Sequence, residues 1–312
     1  MKRSSASIPA VVFFVFKRPT TSYGFLKQMV DAGALKIYVF ADGSRNAEEK
    51  LLTDAVRAEI QRFGRDYPTV NIITHYANKN QGLRNNIIAG LNSVFQKENK
   101  AIIIEDDCLT SPDFFRYARE MLDRYESDYR VMSINGMSVG GDFAGYSYGF
   151  TKYPQCWGWA TWKRAWKLYD PAMHTHKQKT WYKLASQLGM GIILRNYFEL
   201  MFKLIRLGQI NTWDFQWAYA HFFNRGLAIS PHVNLVSNIG FDAVATNTKA
   251  RSSVANLNTS PLEFPLLHPS VVSENFSVSL AIERKFYANP IAILGLIRQY
   301  FYYRIGVYAH RT

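Results

Sequence analysis

The sequence predicts an α/β fold with a mostly parallel central sheet, and three observations carry that prediction. Between Pro9 and Gly136, short runs of β-branched and aromatic residues alternate with longer helix-patterned runs, the pattern of strands laid side by side with helices packed between them. Hydrophobic residues make up 48% of the 312, enough for a large core. The apolar run Ala101 to Ile104 ends in three consecutive acids, Glu105, Asp106 and Asp107. Ser111-Pro112 then opens a helix, which puts the acids at the carboxyl end of a buried strand, where open α/β sheets hold ligands.

Each element follows in order. Ala10 to Phe16 reads as the first strand and Thr20 to Ala32 as its helix. Lys36 to Ala41 is the second strand, ending in Asp42-Gly43-Ser44, and the next helix takes Asn46 as N-cap and Gly64 as its end. Val70 to His75 is the third strand, "NKNQG" a loop, and the segment after it a helix leading to the acidic strand. Beyond Val131 the alternation breaks down: helices are expected from about Thr180 to Leu207 and through "NTWDFQWAYAHFFNRG", closed by Gly226, then one or two short strands between Leu227 and Ser237. Ala, Asn, Thr and Ser dominate from about Asp242 to Asn258, a loop composition. The expected organisation is one domain, 1–260, with a nucleotide-binding half (1–130) and an acceptor half (131–260), followed by a helical extension, 261–312.

With 37 basic against 24 acidic side chains, the net charge of +13 favours phosphate-bearing partners or an anionic membrane surface. Cys108 and Cys156 are the only cysteines and share no CxxC spacing, so no disulfide framework or structural zinc site is indicated. The expected location is cytoplasmic. The extension is apolar, aromatic and basic, and Arg298 and Arg304 interrupt it too often for a spanning helix. It reads either as a helix on the inner face of a membrane or as a helix packed on the domain. Neither GxGxxG nor GxxxxGK[ST] occurs, and the aromatics are not arrayed with basic residues as in nucleic-acid modules.

Consecutive strand residues point in different directions, so the three acids can divide their work: one meets a hard divalent cation such as Mn2+ or Mg2+, another a sugar or ribose hydroxyl. The plainer reading is an acidic turn capping the following helix. Asp42 ends the second strand on the same sheet edge and can accept from a nucleobase or simply form a turn. Arg18 and Arg84 stand at a strand end and a helix start, placed for phosphate oxygens. Asp214, in the first turn of its helix, is the general-base candidate, since the helix dipole favours its ionised form; capping is the alternative. Trp157, Gly158, Trp159 and Trp213 are candidate sugar contacts, with ordinary core packing the competing reading. His174 and His176 read as surface residues.

"FKRPTT", "ADGS", "EDDCLTSPDFFRY" and "TWDFQW", in that order, resemble the motifs of GT-A-fold glycosyltransferases, more narrowly the N-acetylglucosaminyltransferase I group and bacterial sugar transferases related to family 2. The similarity spans roughly residues 9 to 245. It implies that Asp107 binds the metal, Asp106 and Glu105 contact the donor's ribose or sugar, Arg18 meets the pyrophosphate, Asp42 meets the base, and Asp214 deprotonates the acceptor. It further implies a loop near 241–258 that closes over a nucleotide-diphosphate sugar, with a UDP-sugar favoured, and transfer to a glycan or lipid-linked acceptor in bacterial surface polysaccharide synthesis. A sugar-nucleotide nucleotidyltransferase and a non-catalytic binding protein are the rival expectations.

Overall fold

The computed structural model describes residues 7–240 and 256–287, together with 293–295, 297–298 and 300. Its first half alternates as the sequence predicts: β1 (Ala10–Val15), α1 (Pro19–Asp31), β2 (Lys36–Ala41), α2 (Ala47–Asp66), β3 (Asn71–Tyr76), α3 (Leu83–Lys97) and β4 (Lys100–Glu105). Asn46 caps α2 by accepting the Glu49 backbone N–H at 2.8 Å. Gly64 lies inside α2 rather than at its end, and the helix stops at Asp66.

One short strand separates the acids from the next helix, β5 (Cys108–Thr110), before α4 (Pro112–Arg124). Pro112 sits in the first turn of α4, as expected, but Ser111 makes no side-chain capping bond. The remaining elements are β6 (Val131–Asn135), β7 (Tyr148–Thr151), β8 (Trp159–Trp162), α5 (Lys163–Trp166), α6 (Gln178–Gln187), α7 (Ile192–Arg206), α8 (Asp214–Phe223), β9 (Leu227–Pro231), β10 (Val236–Asn238), α9 (Phe276–Ile282) and a π-helical turn, Glu283–Tyr287.

The eight-stranded sheet has the order β3-β2-β1-β4-β8-β6-β9-β7. β3, β2, β1 and β4 are parallel, and β6 and β9 run with them, whereas β8 and β7 are antiparallel to their neighbours. The sheet is thus mostly parallel, with the strand order reversing between β1 and β4. That reversal opens a crevice at the carboxyl ends of the strands. β10 pairs with β5 antiparallel in a separate ribbon, joining the segment after the acids to residues far along the chain.

Side chains alternate across β1, so Val11, Phe13 and Val15 join one core while Val12 and Phe14 join the other. A third cluster unites α6, α7 and α8 through Trp181, Phe198, Phe202 and Phe222. The described part of the extension belongs to these cores: Leu262 and Leu266 enter the first, Val278 and Ile282 the third. Lys152, only 2% exposed, fixes it further through ion pairs to Glu274 (2.7 Å) and Glu283 (3.3 Å). Residues 241–255, where the closing loop is expected, and most of the extension beyond Tyr287 lie outside the described residues.

Candidate active site

A cleft of about 310 Å³ opens at the carboxyl ends of β1, β2 and β4, at the reversal in strand order. Arg18, Asp42, Arg84, Glu105, Asp106 and Asp107, six of the residues singled out from the sequence, line it. The acids form one wall. Lys17, Arg18, Arg45 and Arg84 also line it, so both signs of charge meet across the cleft.

The acids of this wall repel one another. Burial and then the neighbouring Asp107 push Asp106 up to about 7, although the Phe16 backbone N–H donates to its Oδ2 at 2.8 Å and Arg18 opposes the shift. Glu105 is raised well above the ordinary carboxylate range by burial first, then by Asp107, Asp106 and Asp214. Crowded carboxylates held short of full ionisation are a fitting place for a hard cation. Among the described residues, no group of three or more His, Cys, Asp or Glu side chains could hold a metal by itself. The wall's chemistry, oxygen donors of which one or two could reach a single ion, fits a hard cation that completes its shell with substrate oxygens.

Asp107 is seated by the chain that returns along β10. The Ile239 backbone N–H donates to the Asp107 carbonyl at 2.8 Å, and a Cβ on Gly240 would overlap the Asp107 carboxylate. A side chain there would have to push that carboxylate aside. Asn238 Oδ1 accepts the Gly240 N–H at 2.7 Å, which fixes the approach.

Asp42 is 5% exposed and its two oxygens are taken by the protein. Oδ1 accepts from the backbone N–H groups of Gly43 and Gln81, both at 2.8 Å, and Oδ2 from Gly82 N–H (3.0 Å) and Asn80 Nδ2 (3.1 Å). A carboxylate has about four lone-pair sites, so these bonds fill it. The expectation that Asp42 itself accepts from a nucleobase is corrected: it moulds the loop before α3 against the end of β2.

Arg84 donates through Nη2 to the Pro171 carbonyl at 3.0 Å, while its buried Nε has no partner among the described residues. Glu49 holds two further cations at the cleft. Arg45 Nε donates to both its oxygens (3.0 and 2.9 Å) and Lys17 Nζ to Oε1 (3.1 Å). The Arg45 bonds above all, with help from Lys17, pull Glu49 down to about 2. Sequence reasoning missed Lys17 and Arg45, although Arg45 stands four residues before Glu49, the spacing of a helical ion pair. Asn211 and Gly240 also line the cleft, and no local motif flagged them.

Asp214 begins α8 beside this wall, close enough for its charge to raise Glu105. Oδ1 accepts from the Thr212 hydroxyl and from the Phe215 backbone N–H (2.9 Å). Asp214 is exposed, yet protein crowded around its carboxylate strips part of the hydration, and this raises its pKa above the ordinary carboxylate value.

The tryptophans divide otherwise than expected. Trp159, 1% exposed, stacks on Trp213, 4% exposed, with ring centroids 5.6 Å apart, and Trp159 also packs against Trp217 and Trp166 in the second core, to which all four belong. Neither can touch a sugar. Gly158 is buried with φ of 58°, and a side chain there would strike Val236 on β10, so it serves chain packing. Trp157 alone of the four is half-buried. His174 is on the surface beside Asp170, but His176 is buried against Glu199 at 3.1 Å, contrary to expectation.

No protein-family model matches the chain, and no curated protein matches it. Solved structures that align with it include a mannosyltransferase from Pyrobaculum calidifontis in complex with GDP-Man and Mn2+, at 11% identity over 70% of this chain and 70% of that one, with a TM-score of 0.38. GalNAc-T7 with UDP, GalNAc and Mn2+ aligns at 10% identity over 73% of this chain and 43% of that one (TM-score 0.44). A UDP-glucose pyrophosphorylase complexed with UDP-glucose aligns at 11% identity over 72% and 90% (TM-score 0.36). Similarity at this level carries no argument about activity, so the functional reading rests on the cleft itself.

Proposed function

We propose that the protein is an inverting, divalent-metal-dependent glycosyltransferase that moves a hexosyl or N-acetylhexosaminyl group from a nucleoside-diphosphate sugar, UDP-sugar favoured, to a hydroxyl of a glycan or lipid-linked acceptor. The observation that carries this reading is the arrangement of the cleft: three crowded acids face basic side chains at the reversal in strand order, and a single dehydrated carboxylate stands beside them.

Arg18 and Arg84, with Lys17 and Arg45 behind them, receive the diphosphate oxygens and hold the donor in place. The loop that Asp42 moulds, from Asn80 to Gly82, borders the base and ribose. Asp106, tied to the Phe16 backbone, keeps the ends of β1 and β4 in register, and Glu105 faces the donor's sugar hydroxyls. Asp107 would hold a divalent ion together with the diphosphate oxygens, and that ion would supply positive charge to the departing diphosphate. Asp214 takes the acceptor proton at Oδ2, since Oδ1 is already engaged. The acceptor oxygen bonds to the anomeric carbon as the bond from that carbon to the diphosphate oxygen breaks, which inverts its configuration without an enzyme-bound intermediate.

The test is calorimetric titration of UDP, GDP and dTDP with and without Mn2+, on the wild type and on Asp107→Ala. The expected outcome is metal-dependent binding of one nucleotide, lost in the variant. Binding that ignores both metal and Asp107 would overturn the reading. A nucleotidyltransferase could share the acids and the basic rim but would leave Asp214 without a task, and pyrophosphate exchange with a sugar 1-phosphate would reveal it.

A further inference from the structure

Glu49 makes more bonds than its place in α2 requires. It follows the N-cap Asn46 by three positions, and one bond, from the Arg45 backbone N–H to Oε2 at 3.1 Å, completes the reciprocal cap of that helix start. Four further bonds come from side chains: Arg45 donates through Nε to both oxygens and through Nη2 to Oε1, and Lys17 Nζ donates to Oε1 at 3.1 Å. Capping explains none of these. The Glu49 residue is 7% exposed and stands outside the cleft, whereas Lys17 and Arg45 both line it. One buried acid thus ties the segment after β1 to the start of α2 through two cations that border the cleft.

The two cations are held without being used up. Glu49 occupies the Nε and Nη2 edge of the guanidinium, and Nη1 makes no hydrogen bond among the described residues. An ammonium has three donors, of which Glu49 takes one. The Phe16 ring, also at the cleft, lies 5.4 Å from the guanidinium and 5.7 Å from the ammonium. Long cationic side chains lose rotamer freedom when they grip a ligand, and those already fixed lose less at that moment. Charge alone would make Glu49 a hindrance, because it removes a unit of positive charge from the rim of a cleft meant for an anion. We infer that Glu49 is a positioning residue of the donor subsite, and that the Lys17 and Arg45 it fixes read the second phosphate of a nucleoside diphosphate and so set it apart from a monophosphate. A monophosphate held by Arg18 and Arg84 leaves this second pair of cations without an anion. The inference rests on the transferase reading and deepens it by assigning the groups that distinguish the donor's diphosphate.

The experiment uses the full chain with Mn2+ and calorimetric titration of UDP, GDP or dTDP, whichever binds the wild type most tightly, beside the matching monophosphate. The wild type is expected to prefer the diphosphate. Glu49→Gln is expected to weaken diphosphate binding roughly five- to tenfold and monophosphate binding less than about twofold. Glu49→Asp, which keeps the charge but falls one methylene short, is expected to do the same, and it carries the test should Glu49→Gln not fold. Combining Glu49→Gln with Arg45→Met is expected to lose no more than Glu49→Gln alone, since the acid acts through that side chain. Thermal melting records the loss of the helix cap separately. Equal weakening of both nucleotides, which a loosened helix start alone produces, overturns the inference. So does tighter diphosphate binding in Glu49→Gln, the mark of a mere counter-charge, or equal binding of the two nucleotides by the wild type. If diphosphate binding needs Mn2+ and Asp107 but ignores Glu49, only this inference falls; if it ignores Mn2+ and Asp107, the transferase reading falls as well.

Discussion

At the scale of single residues, the cleft depends on two positions with little tolerance. Gly240 abuts the Asp107 carboxylate so closely that a methyl group would displace it. Gly240→Ala is therefore expected to weaken Mn2+-dependent nucleotide binding by tenfold or so while the thermal midpoint changes little, by calorimetry and melting, because a half-buried carboxylate can swing aside at a cost of about 1 to 2 kcal/mol. Asp214→Asn should leave nucleotide affinity intact and lower turnover by roughly 10² to 10⁴. Because burial raises the Asp214 pKa, the acid limb of the rate profile is expected to lie above the ordinary carboxylate range, and to vanish in the variant. The positions of the three acids and of Asp214 were legible in the sequence because their signal is local: a strand, then charge, then a helix start. Trp159 and Trp213 were not, since each finds its stacking partner more than fifty positions away, and an aromatic rich enough for sugar binding is equally good core.

Elements tell a similar story. β1 to β4 and α8 follow from periodicity and caps, and β9 and β10 answer the short strands expected after Leu227, whereas β5 is three residues long, too short to show alternation, and exists because it pairs with β10. The binding of α9 and the π-helical turn to the sheet was also illegible, because its key is one buried lysine in an unremarkable "FTKYP". Lys152 neutralises Glu274 and Glu283 at once. Removing it leaves two partly buried carboxylates facing one another, so Lys152→Met is expected to lose roughly 3 to 5 kcal/mol in urea unfolding, against a smaller loss for Glu283→Gln. Donor binding, which draws on the other end of the sheet, should persist in native protein.

For the whole molecule, pH acts through a histidine the cleft does not use. His221 is fully buried in α8, Nε2 lies 3.2 Å from the Ser133 hydroxyl, and burial lowers its pKa from 6.5 to about 3. The folded protein keeps it neutral while the unfolded chain protonates it below 6.5. Its contribution is therefore complete above that pH and declines as the pH falls toward 3, by up to about 1.4 kcal/mol per unit. Melting His221→Phe beside the wild type between pH 7 and 4 should show a shallower decline in the variant. The described helices include none long and apolar enough to cross a membrane.

The ribbon of β5 and β10 sets a timetable for biosynthesis. A ribosome delivers the three acids early and the strand that seats Asp107 only after Asn238 has emerged, so every shorter nascent chain holds the acids without their backing. A ligand of the cleft meets it finished only once most of the polypeptide is out, and ligand-assisted folding can act on the final stage of assembly but not on the earlier collapse of β1 to β4.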